Sequence, residues 1–150
     1  MVDVIDLAKY VIVYSLMDKR CGVSYITLNR IIFVLQYIFS RKYNFPLFFS
    51  CFEKNCYNIH EKRIEKRFGY YGANIIILTN ERLPKLNLSD EDINIINDVI
   101  EDFCESKIIS DNIAYKIATS EVWKPNKRLT WREIRKRDIL DNEIWFYFAI

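Results

Sequence analysis

The stretch Tyr25-Ile-Thr-Leu-Asn-Arg-Ile-Ile-Phe-Val-Leu-Gln-Tyr-Ile-Phe-Ser-Arg-Lys-Tyr43 decides how this chain is read. Leu28, Ile31, Ile32, Leu35, Ile38 and Phe39 recur at helical spacing and make a wide apolar face. Ser24 stands where an N-cap belongs, and Arg41 and Lys42 fall in the last turn, at the negative end of the helix dipole. Pro46 stops the run. A helix with so wide an apolar face must be covered by neighbours.

The neighbours are legible on both sides. Residues 2–18 place Val4, Ile5, Ala8, Val11, Ile12 and Leu16 at helical spacing on more than one side, which predicts a buried helix. Gly22 ends this segment. Ser89-Asp-Glu-Asp92 crowds acids into a first turn, and Ile93, Ile96, Val99, Ile100 and Phe103 continue the period. Ser110 and Asp111 open another helical stretch. Thr130-Trp-Arg-Glu133 has the form of a capping box and starts a short basic helix to about Arg137. The apolar end, Ile139 to Ile150, is expected to dock on the body of the domain.

Strands are fewer. A strand or extended segment is expected around 47–53, and Asn58 with Glu61 reads as the capped start of a helix over 59–70. Ile75–Leu78 reads as a strand, paired through a turn at 79–81 with a weaker edge strand ending at Leu86, because Pro84 cannot donate to a ladder. The fold class is mainly α (α+β): a single compact helical domain over residues 1–150 with a small β-hairpin or a short two- to three-stranded sheet. Only 3 Gly and 3 Pro in 150 residues agree with few turns.

Composition narrows the function classes. Hydrophobic residues at 51% and charged residues at 28% describe a globular chain. A formal net charge of +2 gives no global pull toward nucleic acid or an acidic membrane. The start has acids and no basic leader, and its apolar run is too short to span a bilayer. A cytoplasmic protein is expected, with Cys21, Cys51, Cys56 and Cys104 reduced.

The chemistry-bearing stretch is Cys51 to Gly72, C-x4-C-x3-H followed by a charged run. Cys51, Cys56 and His60 would supply three zinc ligands, but no second close pair follows, and the expectation is no metal. Lys62 with Lys66 and Arg63 with Arg67 make basic stripes one turn apart, beside the acidic Glu61 and Glu65. A second basic zone runs through Lys124, Lys127, Arg128, Arg132, Arg135, Lys136 and Arg137, with Trp123 and Trp131 interleaved. Such a zone can stack bases, yet a solvated helix face explains it as well, and nucleic acid ranks below a protein partner. The single histidine supports no catalytic triad, and no P-loop or dinucleotide fingerprint occurs. Neither an enzyme nor a cofactor is expected.

The order of segments resembles the Panacea domain, the SocA-like antitoxin family of bacteria and phages. Leu28 and Arg30 stand where that family has Leu and Lys, and Phe33 where it often has Tyr. Phe52 and Tyr71-Gly72 fit its next block, with Tyr57-Asn58 in place of Gly-Pro. Leu88 to Phe103 is similar to its Leu-Ser-x-Glu helix. Ile113 to Trp123 is similar to its Thr-His…Trp ending, with Ser120 in place of His and Trp123 retained. The resemblance covers roughly residues 5–135. It implies a helical domain that binds and neutralises a toxin encoded beside it, without a cofactor. On that basis the partner surface is expected around Tyr57, Asn58, Arg63, Arg67, Tyr70 and Tyr71, with Trp123 nearby. Core packing serves Tyr71 and Trp123 as well as contact does. The alternative is a phage- or prophage-encoded inhibitor or adaptor that captures a host protein.

Overall fold

The computed structural model describes residues 1–55, 58–78, 81–105, 111–112 and 128–135. Helix α1 (Val4–Met17) starts at Asp3, whose carboxylate accepts the N–H of Ile5 at 2.8 Å and of Asp6 at 3.3 Å. Helix α2 (Tyr25–Tyr43) starts at Ser24, whose Oγ accepts the N–H of Thr27 at 3.2 Å. It ends at Asn44 in the left-handed region. A short sheet follows, formed by β1 (Phe52–Asn55) and β2 (Asn58–Glu61), then α3 (Lys62–Phe68) and a 3-10 turn (Gly69–Tyr71). Next come α4 (Asp90–Glu105), β3 (Arg128–Leu129) and α5 (Trp131–Arg135). The predicted class holds: mainly helical, with a three-stranded antiparallel sheet in the order β2-β1-β3.

Helix α2 is the centre. Its apolar residues are buried on nearly every side, from Leu28 to Phe39. It packs against α1, α3, α4, α5 and β2. Two amides on it are also buried, Asn29 and Gln36. Gln36 holds the chain after Pro46: its Oε1 accepts the N–H of Leu47 at 2.9 Å and of Phe48 at 3.4 Å, and its Nε2 donates to the Phe48 carbonyl at 2.7 Å. A side chain thus replaces the ladder that a strand would have supplied. This is why the strand expected over 47–53 begins only at Phe52.

The sheet lays one face on α2. Phe52, Lys54, Ile59, Glu61 and Leu129 are buried in alternation. Phe52 meets Phe33 edge-on, 5.4 Å between centroids. Glu53, His60 and Arg128 lie in register on the other face. The helix expected from residue 59 begins instead at Lys62. Asn58 Oδ1 is engaged by Arg30 Nη2 at 3.2 Å, and Glu61 is the cap, accepting the Ile64 N–H at 2.8 Å. The hairpin therefore lies at 52–61. Among the described residues of the 75–86 region there is a single bridge, Ser24 to Ile75, and 81–86 form no strand; residues 79 and 80 of the expected turn lie outside the described residues. Gly22 permits that bridge. Its φ is +67°, and a Cβ there would stand 2.6 Å from Ile75 Cγ2.

Helices α1 and α4 are joined by polar contacts along their length. Tyr10 Oη donates to Asn97 Oδ1 at 2.6 Å and Tyr14 Oη to Glu101 Oε1 at 2.9 Å, while Lys19 pairs with Glu101 at 2.8 Å. At the end of this seam Cys21 and Cys104 form a disulfide with Cα atoms 5.8 Å apart. The expectation of four reduced cysteines is corrected for this pair: the turn after α1 brings Cys21 beside the last turn of α4. Cys51 is free and half-buried. No helix among the described residues is long and apolar enough to cross a membrane. Thr130 Oγ1 accepts the Glu133 N–H at 3.4 Å, as the capping motif predicts. The helical stretch opened by Ser110 and the docking of 139–150 lie outside the described residues, apart from Asp111 and Asn112, which are helical.

Candidate functional site

The first turns of α2, the strand β2 and the turn after α3 enclose a groove of about 550 Å3. Tyr25, Ile26 and Asn29 form one wall, Asn58, Ile59 and His60 the second, and Glu65, Gly69, Tyr70 and Gly72 the third. The geometry follows from local choices. Ser24 fixes where α2 begins, and so where Tyr25 and Asn29 point. Asn29 then ties the walls together, donating to the Tyr25 carbonyl at 3.0 Å and accepting the Glu61 N–H at 3.0 Å.

Glu61 anchors the base of β2. It is 1% exposed. Its carboxylate accepts a hydrogen bond from Ser50 Oγ and caps α3. The Tyr25 hydroxyl is buried in the groove wall with no hydrogen-bond partner among the described residues. Burial foremost, and then the Glu65 carboxylate, push its pKa up to about 12, against an opposing pull from the nearby Asn29 amide. The groove thus carries a neutral phenol with an unsatisfied donor.

Tyr70 is the exposed element. It is 80% accessible and stacks on Tyr71, 4.4 Å between centroids and 29° between planes. Tyr71 is half-buried, packs against the core and donates to the Ile77 carbonyl at 3.4 Å. The neighbouring Tyr70 phenol first, then desolvation, raise its pKa. Tyr71 therefore acts as the backing on which Tyr70 is presented.

The predicted surface residues divide. Asn58 and Tyr70 line the groove and Tyr71 supports it. Arg63 is taken up by Asp3, 2.6 Å away, so it closes α3 against the start of α1. Burial of Asp3 works against its charge, but the Arg63 hydrogen bond and the Asp6 and Ile5 N–H groups outweigh it and hold the carboxyl below its ordinary value. Arg67 is exposed on α3 and does not line the groove. Tyr57 and Trp123 lie outside the described residues.

Sequence reasoning missed Tyr25, Ile26 and Glu65, since nothing in their neighbours in sequence marks them. His60, expected in the first turn of a helix, stands on β2, opposite Glu53. Cys56, the third member of the Cys51, Cys56 and His60 set, lies outside the described residues; among the described residues no three His, Cys, Asp or Glu side chains converge to hold a metal ion. Comparison of the chain with protein-family models, with curated proteins and with solved structures gives no match.

Proposed function

We propose that this chain is an antitoxin-like protein-interaction domain that neutralises a toxin encoded by a neighbouring gene through direct binding, without catalysis. The observation that carries the reading is Tyr70, an aromatic ring left 80% exposed on a rigid stacked support at the rim of a groove. Aromatic side chains held in this way dominate protein interfaces, because they bring large contact area at little entropic cost. Asn58, which lines the same groove, supplies a polar group for orientation. The resemblance of the segment order to Panacea-type antitoxins supplies the kind of partner. Action in the cytoplasm belongs to this reading. There the Cys21–Cys104 bridge would face a reducing pool, so its state in cells bears directly on it.

The departure of Tyr57-Asn58 from the family's Gly-Pro favours a second reading, capture of a host protein by a phage-encoded inhibitor, because Asn58 lines the groove itself. Expressing the adjacent gene alone and together with this one separates the two. Toxicity relieved by the wild-type chain and not by Tyr70→Ala supports the antitoxin. A harmless neighbour, together with recovery of one host protein that Tyr70→Ala fails to retain, supports the inhibitor.

A further inference from the structure

A second recess lies apart from the groove, between the end of α2 and α5. It measures about 490 Å3 and is lined by Asn44, Phe45, Phe49, Trp131, Arg132 and Arg135. Its composition is unusual for a protein surface. Phe45 and Phe49 are 52% and 59% exposed, so their rings are not spent on the core. The rings face one another at angles: Phe45 meets Phe49 at 72° and 5.9 Å, and Trp131 at 48° and 6.4 Å. A flat ring laid on one of them therefore meets the edge of the next, the arrangement aromatic quadrupoles favour.

The charges are of one sign. The Arg132 guanidinium lies 5.2 Å over the Trp131 ring. Arg135 is half-buried and makes no hydrogen bond or ion pair with a described residue. No acid among the described residues lines the recess. A partly buried guanidinium without an anion among the described residues is open to one. Its planar fork suits a phosphate or carboxylate held by two parallel hydrogen bonds.

We propose that this recess binds a nucleotide, with the base on the Phe45–Phe49–Trp131 rings and the phosphate on Arg135 and Arg132. The volume is within the usual small-ligand range of roughly 300–1,000 Å3. Rings for the flat part and guanidinium groups for the anion sit side by side, as a base and its phosphate do. An acidic peptide would satisfy the arginines, but it has no need of three exposed rings set edge to face. The nucleotide can be free or can belong to a single strand, since both present the same base and phosphate. This site is independent of the Tyr70 groove, and either reading stands if the other fails.

Calorimetric titration of the full chain with adenosine monophosphate tests it. Binding is expected, with adenosine alone and inorganic phosphate alone each weaker by about tenfold or more, because each keeps only half of the contacts. Phe49→Leu and Arg135→Ala should each weaken binding about tenfold, and Arg135→Lys should fall between, since it keeps the charge and loses the fork. Phe49 is exposed, so its variant keeps the fold even where an Arg135 variant does not. A single-stranded hexanucleotide binding more tightly than the mononucleotide, and loosening with salt, marks a strand as the source; equal or weaker binding marks the free nucleotide. Absence of binding at about 10 mM adenosine monophosphate overturns the proposal, as does binding that Phe49→Leu and Arg135→Lys both leave unchanged. Binding of an Asp-Tyr-Glu peptide with no binding of the nucleotide also overturns it.

Discussion

The Asn29 side-chain oxygen accepts the backbone N–H of Glu61 at 3.0 Å, across 32 positions of sequence. One buried amide of the central helix thus sets where β2 ends and α3 begins. Asn29→Ala leaves the Glu61 N–H without its acceptor in a site closed to water. We expect a loss of about 2 kcal/mol in urea unfolding, the desolvation cost of one orphaned buried group plus part of the lost bond. Asn29→Asp keeps the acceptor and loses the donation to Tyr25, and it places a second carboxylate beside the buried Glu61. It should be no better than Asn29→Ala at neutral pH. An Asn29→Ala protein as stable as the wild type would mean that the junction is set by the Glu61 cap alone.

Gln36, two turns further along α2, does the same for Leu47 and Phe48 with three hydrogen bonds. Gln36→Leu fills the space with apolar atoms but orphans two N–H groups and a carbonyl. A loss of about 3 kcal/mol or more is expected, which puts it among the most damaging single substitutions in the described core. Gln36→Glu keeps the acceptor side and, when protonated, regains a single O–H donor. Thermal denaturation should order the three as wild type, then Glu, then Leu at a pH low enough to protonate the new carboxyl.

These two amides show how far the sequence was readable. The helices at 4–17, 25–43 and 90–105 follow from apolar period and from short-range caps at Asp3, Ser24 and Ser89, all local signals. The hairpin was not visible in the same way. Asn58-x-x-Glu61 has the spacing of a cap, and a local reading makes it one. Arg30 occupies Asn58 and Asn29 takes the Glu61 N–H, so partners about thirty residues away decide between strand and helix. The groove was half legible for the same reason. Tyr70 and Asn58 stand in a distinctive stretch, whereas Tyr25 enters the site only because α2 happens to begin there.

The disulfide between Cys21 and Cys104 spans a sequence separation of 83 residues. Closing so long a loop restricts the unfolded chain, and the loop-entropy account gives a stabilisation of about 4.5 kcal/mol. Dithiothreitol should lower the urea midpoint of the wild type toward that of Cys21→Ser, and leave Cys21→Ser itself unmoved. Mass spectrometry of the alkylated, unreduced protein should show two of the four cysteines blocked. Four alkylated cysteines in protein isolated without reductant would show that the pair is close but unjoined.

Asp102 gives the chain a pH dependence of definite sign. Burial first, then the charges of Glu105, Asp98 and Glu101, raise its pKa to about 6. An acid whose folded pKa lies above its unfolded value binds its proton more tightly when folded. Its contribution therefore falls as pH rises from the unfolded value, about 4, through 6, and the full penalty is present at neutral pH. Asp102→Asn removes that penalty. The variant should be more stable than the wild type at pH 7.5, and the two should converge below about pH 4. Asp102 is partly exposed, so screening should shrink the difference in high salt. A gap between the two proteins that stays constant across this range would assign the effect to packing.

Tyr70 carries the functional reading and can be removed without touching the core. Its ring is 80% exposed, so Tyr70→Ala should change unfolding free energy by less than about 0.5 kcal/mol. If the ring anchors a partner, the same change should weaken the complex by about 2 kcal/mol or more, a thirtyfold rise in Kd. Tyr71→Ala differs in kind. It removes the support under Tyr70 and part of the core packing, so both stability and affinity should fall. Tyr70→Phe should keep most of the affinity, because stacking on Tyr71 and apolar contact do not need the hydroxyl. Equal binding by wild type and Tyr70→Ala, measured against whichever protein co-purifies with the chain, would move the interface away from this groove.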